Sequence, residues 1–151
     1  MIRGEKLSFN YKGEKNIIND LNIDIKEGEI TTIIGPNGSG KSTLLSLLCA
    51  LNKSKTGHVY LGGINMNDLK YKEIAKVLAT VHQQNSVPKD IKVEELVAYG
   101  RYPHKGYFKS NNKEDKNIIK WALECTGLDD LKHKGVMNLS GGERQRAFIS
   151  M

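Results

Sequence analysis

Nine consecutive residues carry the chemistry most legible in this sequence. Gly35-Pro36-Asn37-Gly38-Ser39-Gly40-Lys41-Ser42-Thr43 fills the pattern G-x-x-x-x-G-K-S/T, the form of a loop that cradles phosphates. Glycines at 35, 38 and 40 admit positive φ and let the backbone approach an anion, so that successive N–H groups face it and the following helix adds its dipole. Lys41 has the reach and the charge for β and γ phosphates, and the Ser42 hydroxyl would complete a magnesium shell. Thr43 reads as a phosphate contact or a helix cap. The flanks suit the loop: Ile30-Thr31-Thr32-Ile33-Ile34 is a β-branched run that predicts a buried strand, and Leu44 to Leu51 predicts a helix held by leucines.

Three further places could meet a ligand. Leu139-Ser140-Gly141-Gly142-Glu143-Arg144-Gln145-Arg146 offers a serine hydroxyl and two glycine N–H groups at the predicted start of a helix running through Ala147-Phe148-Ile149. By itself it reads equally as a capping turn. His82-Gln83-Gln84-Asn85 follows a predicted strand at 79–81, and polar side chains at the C-terminal end of a core strand lie where α/β sheets bind ligands; a plain loop is the alternative. His82 itself reads as structural or solvent-facing. Tyr11, at a strand exit, could stack on a base or pack at the strand end.

The elements that must hold these residues follow from periodicity. Residues 2–9 alternate loosely as a strand, and 16–25 alternate with Ile23 and Ile25 on one face. Thr56-Gly57 ends a turn before the strand His58 to Leu61, and a helical pattern runs from Asp68 to Leu78. From Pro88 the character changes. A helix over 92–100 leads to the aromatic and basic loop 101–108, and a second helix over 115–126 carries Ile118, Ile119, Ala122, Leu123 and Cys125 on its buried side until Gly127 stops it. The expected fold is α/β, with an N-terminal β unit, a nucleotide-binding core over 1–87 and 139–151, and a helical subdomain over 88–138.

Composition narrows the classes. At 151 residues and 38% hydrophobic content the chain has the size of one domain with a modest core. No stretch approaches the roughly 18 apolar residues of a spanning helix, and the start lacks the apolar run of a secretory signal, so a cytoplasmic location is expected. Cys49 and Cys125 are isolated, which fits a reducing compartment and suggests neither a disulfide nor a metal site. The net charge of +6 comes from lysines interspersed with acids, as on solvated faces, and no nucleic-acid partner is expected. The charge is compatible with a phospholipid surface or a membrane-embedded partner.

With Leu139-Ser140-Gly141-Gly142-Glu143 following the phosphate loop in the same chain, the sequence resembles the nucleotide-binding subunit of ATP-binding cassette (ABC) transporters. The resemblance covers essentially the whole chain. It implies a P-loop ATPase fold that takes ATP and Mg2+, with Gly35 to Thr43 as the Walker A loop and Tyr11 as the aromatic that stacks on adenine. Gln83 would be the switch-loop glutamine, which senses magnesium and attacking water and connects to the membrane subunit; Lys41 and Gln83 are thus the catalytic candidates, Ser42 and Gln83 the metal contacts. Ser140, Gly141 and Gly142 would belong to the signature that closes on the nucleotide of a second subunit in a head-to-tail homodimer. Glu143 stands where glutamine is commonest in the family.

Val93 to His104 further resembles the ATPases of iron–siderophore importers, with haem and cobalamin importers close by. Lys53-Ser54-Lys55 lacks the proline often found there, and His82 occupies a proline position. Partners implied are transmembrane permease subunits, the second ATPase subunit and a substrate-binding protein, with the ATPase peripheral on the inner face of the membrane. Tyr99, Arg101, Tyr102 and Tyr107 are either permease contacts or packed against their own core. A family domain continues beyond the signature into the Walker B aspartate and the catalytic glutamate, so the 151-residue chain is expected not to turn over ATP, and strands 30–34 and 79–81 are expected to lack partners. The alternatives are a soluble ABC ATPase acting on nucleic acid or ribosomes, and a non-hydrolysing nucleotide-binding fragment.

Overall fold

Burial along β1 (Ile2–Phe9) explains why its alternation reads loosely: Leu7 and Phe9 face inward two apart, but Gly4 and Leu7 are three apart. A bulge at Lys6, whose φ is +48°, supplies the extra residue. The computed structural model describes residues 1–12, 15–82, 85–105 and 113–151. Its sheet has the order β2-β1-β3-β4 and is antiparallel throughout, with β2 spanning Ile18–Ile25, β3 Thr56–Leu61 and β4 Ile64–Asn65. Central β1 pairs Gly4 with Ile23 on one side and with Val59 on the other. At the edge of β3, Gly57 sits at φ +79°, and an added Cβ would run into the carbonyl oxygens of Glu5 and Lys6. The hairpin from β3 to β4 turns on Gly62 and Gly63, both at positive φ, as a two-residue loop requires.

Helix α1 (Lys41–Leu48) lies on this sheet through Leu44, Leu47 and Leu48, the i, i+3, i+4 stripe, while Leu45 points out. Leu7, Phe9, Ile18, Val59, Leu61 and Met66 complete the core. The helical pattern predicted from Asp68 to Leu78 resolves into a 3-10 turn, Met66–Asp68, and the four-residue α2 (Tyr71–Ile74). The break has a local cause: Leu69 and Lys70 are extended, and the Glu73 carboxylate accepts the Lys70 N–H at 2.8 Å, starting a new helix.

Two predicted strands are not formed. Residues 30–34 and 79–81 lie in no strand, and Ile30 and Ile34 are 98% and 87% exposed. β-branched sequence makes a strand only against a neighbour, and among the described residues neither run has one.

The chain divides into two compact units, Met1–Ala79 and Thr80–Met151. In the second, α3 (Val93–Tyr99), α4 (Lys113–Cys125) and α5 (Gly141–Ser150) enclose Val93, Leu96, Val97, Leu123, Leu128, Val136, Ala147 and Phe148. Arg101 Nε donates to Asp115 Oδ1 at 2.7 Å, a half-buried pair that joins the end of α3 to α4. Gly127, at φ +65°, follows the end of α4 as predicted. Cys125 corrects the sequence reading. The buried face of α4 centres on Leu123 with Ile119 and Ala122, which leaves Cys125 exposed, one helical turn from Trp121, itself 63% exposed.

Candidate functional site

The phosphate loop belongs to the first unit, and its shape follows from its glycines. Gly38 and Gly40 take φ of +80° and +88°, values that a side chain strains to adopt. A Cβ at Gly38 would meet nothing within 4 Å, so backbone conformation alone selects glycine there. At Gly40 it would also press on Ile17 at 3.0 Å and Ile18 at 3.2 Å. At Gly35 a Cβ would lie 2.9 Å from Ser39 Oγ, the end of an exposed side chain that can turn aside, so crowding there is mild.

Lys41 folds back over this loop. Its Nζ donates to the carbonyl oxygens of Gly35 at 2.9 Å and Pro36 at 2.7 Å, while Ser39 N–H closes the turn on Pro36 O at 3.3 Å. The helix begins from left-handed Gly40 with no side-chain cap, and its first ladder bond runs from Leu44 N–H to Gly40 O at 2.8 Å. The N–H groups of Lys41, Ser42 and Thr43 precede that bond, so they point out of the helix end with its positive dipole. Ser42 is exposed, as are Asn37 and Ser39 around it, whereas Thr43 is only 7% exposed. Because no side chain caps α1, the cap reading of Thr43 is not how this helix starts.

Outward amides, an ammonium group and an exposed hydroxyl in one turn fit a nucleotide's phosphates with a divalent cation. Lys41 would trade its two carbonyls for phosphate oxygens, and Ser42 would hold the cation. Tyr11 is 45% exposed and meets Phe9 edge to face, with ring centroids 5.1 Å apart at 87°. The ring thus packs at the strand end and remains partly exposed. Gln83 and Tyr107 lie outside the described residues.

The second glycine turn belongs to the second unit. Ser140 is the N-cap of α5 and forms a reciprocal box with Glu143: Ser140 Oγ accepts from Glu143 N–H at 3.3 Å, and Glu143 Oε2 accepts from Ser140 N–H at 2.7 Å. The backbone N–H of Ser140, then its side chain, hold the Glu143 carboxyl below the ordinary glutamate value, opposed by desolvation and assisted by Lys134 and Arg146. Gly141 and Gly142 are exposed, and a Cβ at either would meet nothing within 4 Å. Arg144, to which the sequence reading gave no role, reaches back from the first turn: Nη2 donates to Met137 O at 3.1 Å. Its place four residues after the N-cap was the only hint of this in the sequence.

The same unit has a groove of about 270 Å³ lined by Val81, Val87, Pro88, Leu96, Tyr99 and Phe148 among others. Tyr99 and Tyr102 are exposed, and Arg101 is tied to Asp115. No helix among the described residues is long and apolar enough to cross a membrane.

Residues 18–151 match the family model described as ABC transporter. The chain is 46% identical over 147 residues to the iron(3+)-hydroxamate import ATP-binding protein FhuC of Bacillus subtilis (strain 168), covering 97% of this chain and 54% of that protein. It is 43% identical over 150 residues to the ferric enterobactin transport ATP-binding protein FepC of Escherichia coli (strain K12), covering 99% of this chain and 55% of that one. A solved dimer of the ATP-binding cassette MJ0796, in a post-hydrolysis state with ADP and Pi, superposes with a TM-score of 0.82 at 30% identity over 99% of this chain and 68% of that chain. The chain spans about half the length of these curated relatives. Since the family match runs from the start of β2 through both glycine turns to Met151, the chain belongs to the ABC transporter family, and its β-sheet unit and helical unit are subdomains of that family's P-loop ATPase fold.

Proposed function

We propose that this chain is the nucleotide-binding part of an import ATPase that couples binding and hydrolysis of Mg-ATP to uptake of an iron–siderophore type substrate. The observation that carries the ATP reading is the uncapped start of α1, with left-handed Gly38 and Gly40 and the Lys41 ammonium drawn into the loop. Gly35 to Gly40 would cradle the phosphates through backbone N–H groups, Lys41 would pair with β and γ oxygens, and Ser42 would hold magnesium. Magnesium supplies charge neutralisation on the transferred phosphoryl group. Tyr11 would offer its ring to adenine, and Gln83 would touch the cation and orient water. Residues 1–87 with 139–151 would form the nucleotide-binding core and 88–138 the helical subdomain.

Ser140, Gly141 and Gly142 would complete the nucleotide site of a second, head-to-tail copy. The permease would meet the groove beside Tyr99 and the loop of Arg101 and Tyr102, on the cytoplasmic face of the membrane; a substrate-binding protein would deliver the cargo. The siderophore reading is supported by the relatives named for ferric hydroxamate and ferric enterobactin. Substituting Lys41→Ala removes a charge-assisted contact of roughly 1.5–3 kcal/mol, so affinity for a fluorescent ATP analogue is expected to fall about ten- to hundredfold with the fold retained. Equal affinities would remove Lys41 from the site.

A further inference from the structure

The box between Ser140 and Glu143 fixes these four residues relative to one another, but it does not fix the direction from which the chain enters α5. That direction is set one layer further out. Arg144 lies in the first turns of α5 and its Nη2 bonds to the carbonyl of Met137, seven residues earlier, in the 3-10 turn Val136–Asn138. The bond closes a ring around Asn138, Leu139, Ser140, Gly141, Gly142 and Glu143, with Leu139 buried inside the unit.

Two features argue against a side chain resting there by default. A cation near a helix N-terminus opposes the helix dipole. In addition, Arg144 Nε is buried without a hydrogen-bond partner, the one such side-chain nitrogen or oxygen among the described residues. An unpaired buried donor is unfavourable, and rotation toward water would relieve it. The side chain instead keeps its reach to Met137.

We infer that Arg144 is a positioning residue of the signature turn. By tying Met137 to the first turn of α5, it aims the Ser140 hydroxyl and the Gly141 and Gly142 N–H groups outward as a unit, toward the γ-phosphate held by a second copy. This rests on the proposed ATP-dependent pairing of two copies. Arg144 itself touches neither nucleotide nor cation; it acts through the turn.

The test compares Arg144→Met, which keeps the aliphatic stem and removes every donor, with Arg144→Lys, which keeps one donor able to reach Met137, both in the intact protein. Three measurements are made: nucleotide affinity of the monomer, ATP-driven dimerisation by light scattering, and amide chemical shifts of Gly141 and Gly142. Arg144→Met is expected to leave monomer affinity unchanged, to weaken dimerisation by up to about tenfold, the most that a turn held by one charge-assisted hydrogen bond can lose, and to shift the two glycine resonances while α3 and α4 stay in place. Arg144→Lys is expected to recover most of both effects. Unmoved glycine resonances overturn the inference whether or not copies pair, and so do shifts spread evenly over the whole second unit, which would mark a merely structural role. Failure of the wild type to dimerise with ATP would instead sink the functional reading, with the glycine shifts still deciding whether Arg144 sets the turn.

Discussion

Helices α1 and α5 both begin on turns of glycine and serine, yet they start in different ways. In α5 a serine caps the helix and a glutamate returns the bond, so the turn is satisfied by its own side chains. In α1 the corresponding place is taken by left-handed Gly40, no side chain caps the helix, and the side chain drawn into the loop is a lysine bound to carbonyls. One turn leaves its first amides to an outside acceptor and brings a counter-charge; the other is held by its own side chains, the Ser140–Glu143 box and the Arg144 tie, while leaving Gly141 and Gly142 open. Under the proposed function this is the expected division. There, a Walker A loop would trade its open amides for phosphate oxygens, whereas the signature turn would have to keep its form while the two copies are apart.

Gly40→Ala is the severest way to break the contrast, because it combines left-handed backbone with a Cβ pressed on Ile17 and Ile18. A loss of about 1–3 kcal/mol in unfolding free energy is expected, read by urea denaturation of the intact protein. A neutral result would show that the loop can leave the left-handed conformation at little cost.

Gly142→Ala should act in the opposite sense. Its backbone is helical and the space beside it is open, so alanine is expected to stabilise α5 by about 0.5–1 kcal/mol while a methyl group obstructs close approach to a phosphate. A raised thermal midpoint together with weaker ATP-driven dimerisation would sharpen the comparison; a lowered midpoint would mean that the turn is strained.

The smallest effect concerns pH. Folding lowers the Glu143 pKa from its ordinary 4.5, so its contribution is present in full above that value and is lost as pH falls through the lowered one. Glu143→Gln keeps an acceptor for Ser140 N–H but carries no titrating group. Unfolding free energies of wild type and variant, followed from neutral pH into the acid range, should differ by a constant at neutral pH and converge toward the variant's trend in acid. Parallel curves throughout would show that the carboxylate adds nothing beyond a neutral acceptor.

What the sequence could and could not reveal follows from how local each interaction is. The phosphate loop and α1 were legible because glycine conformation, leucine spacing and lysine reach are all settled within a few residues. The strands β1, β2 and β3 showed in their alternation, although the bulge at Lys6 blurred β1. Residues 30–34 and 79–81 form no strand, in keeping with the expected lack of partners, because a buried strand is made by its neighbours and β-branched composition only favours one. Two-residue β4 was too short to carry a pattern. Cys125 was misplaced because five apolar positions were assigned to a helix face that has room for a narrower stripe around Leu123. The Arg144 tie joins residues on either side of a turn, which periodicity does not register.

The placement of Trp121 governs how this protein can be watched. It is the sole tryptophan in the sequence, it stands on α4 in the Thr80–Met151 unit, and its indole is already largely wetted in the folded chain. Its emission should therefore lie toward the red in the native state and move little on unfolding, so a fluorescence melt would return a shallow transition even from a cooperative protein. Circular dichroism in the far ultraviolet follows both the antiparallel sheet and the helices, and a tryptophan introduced at Tyr60 in β3 would give the first unit a reporter of its own.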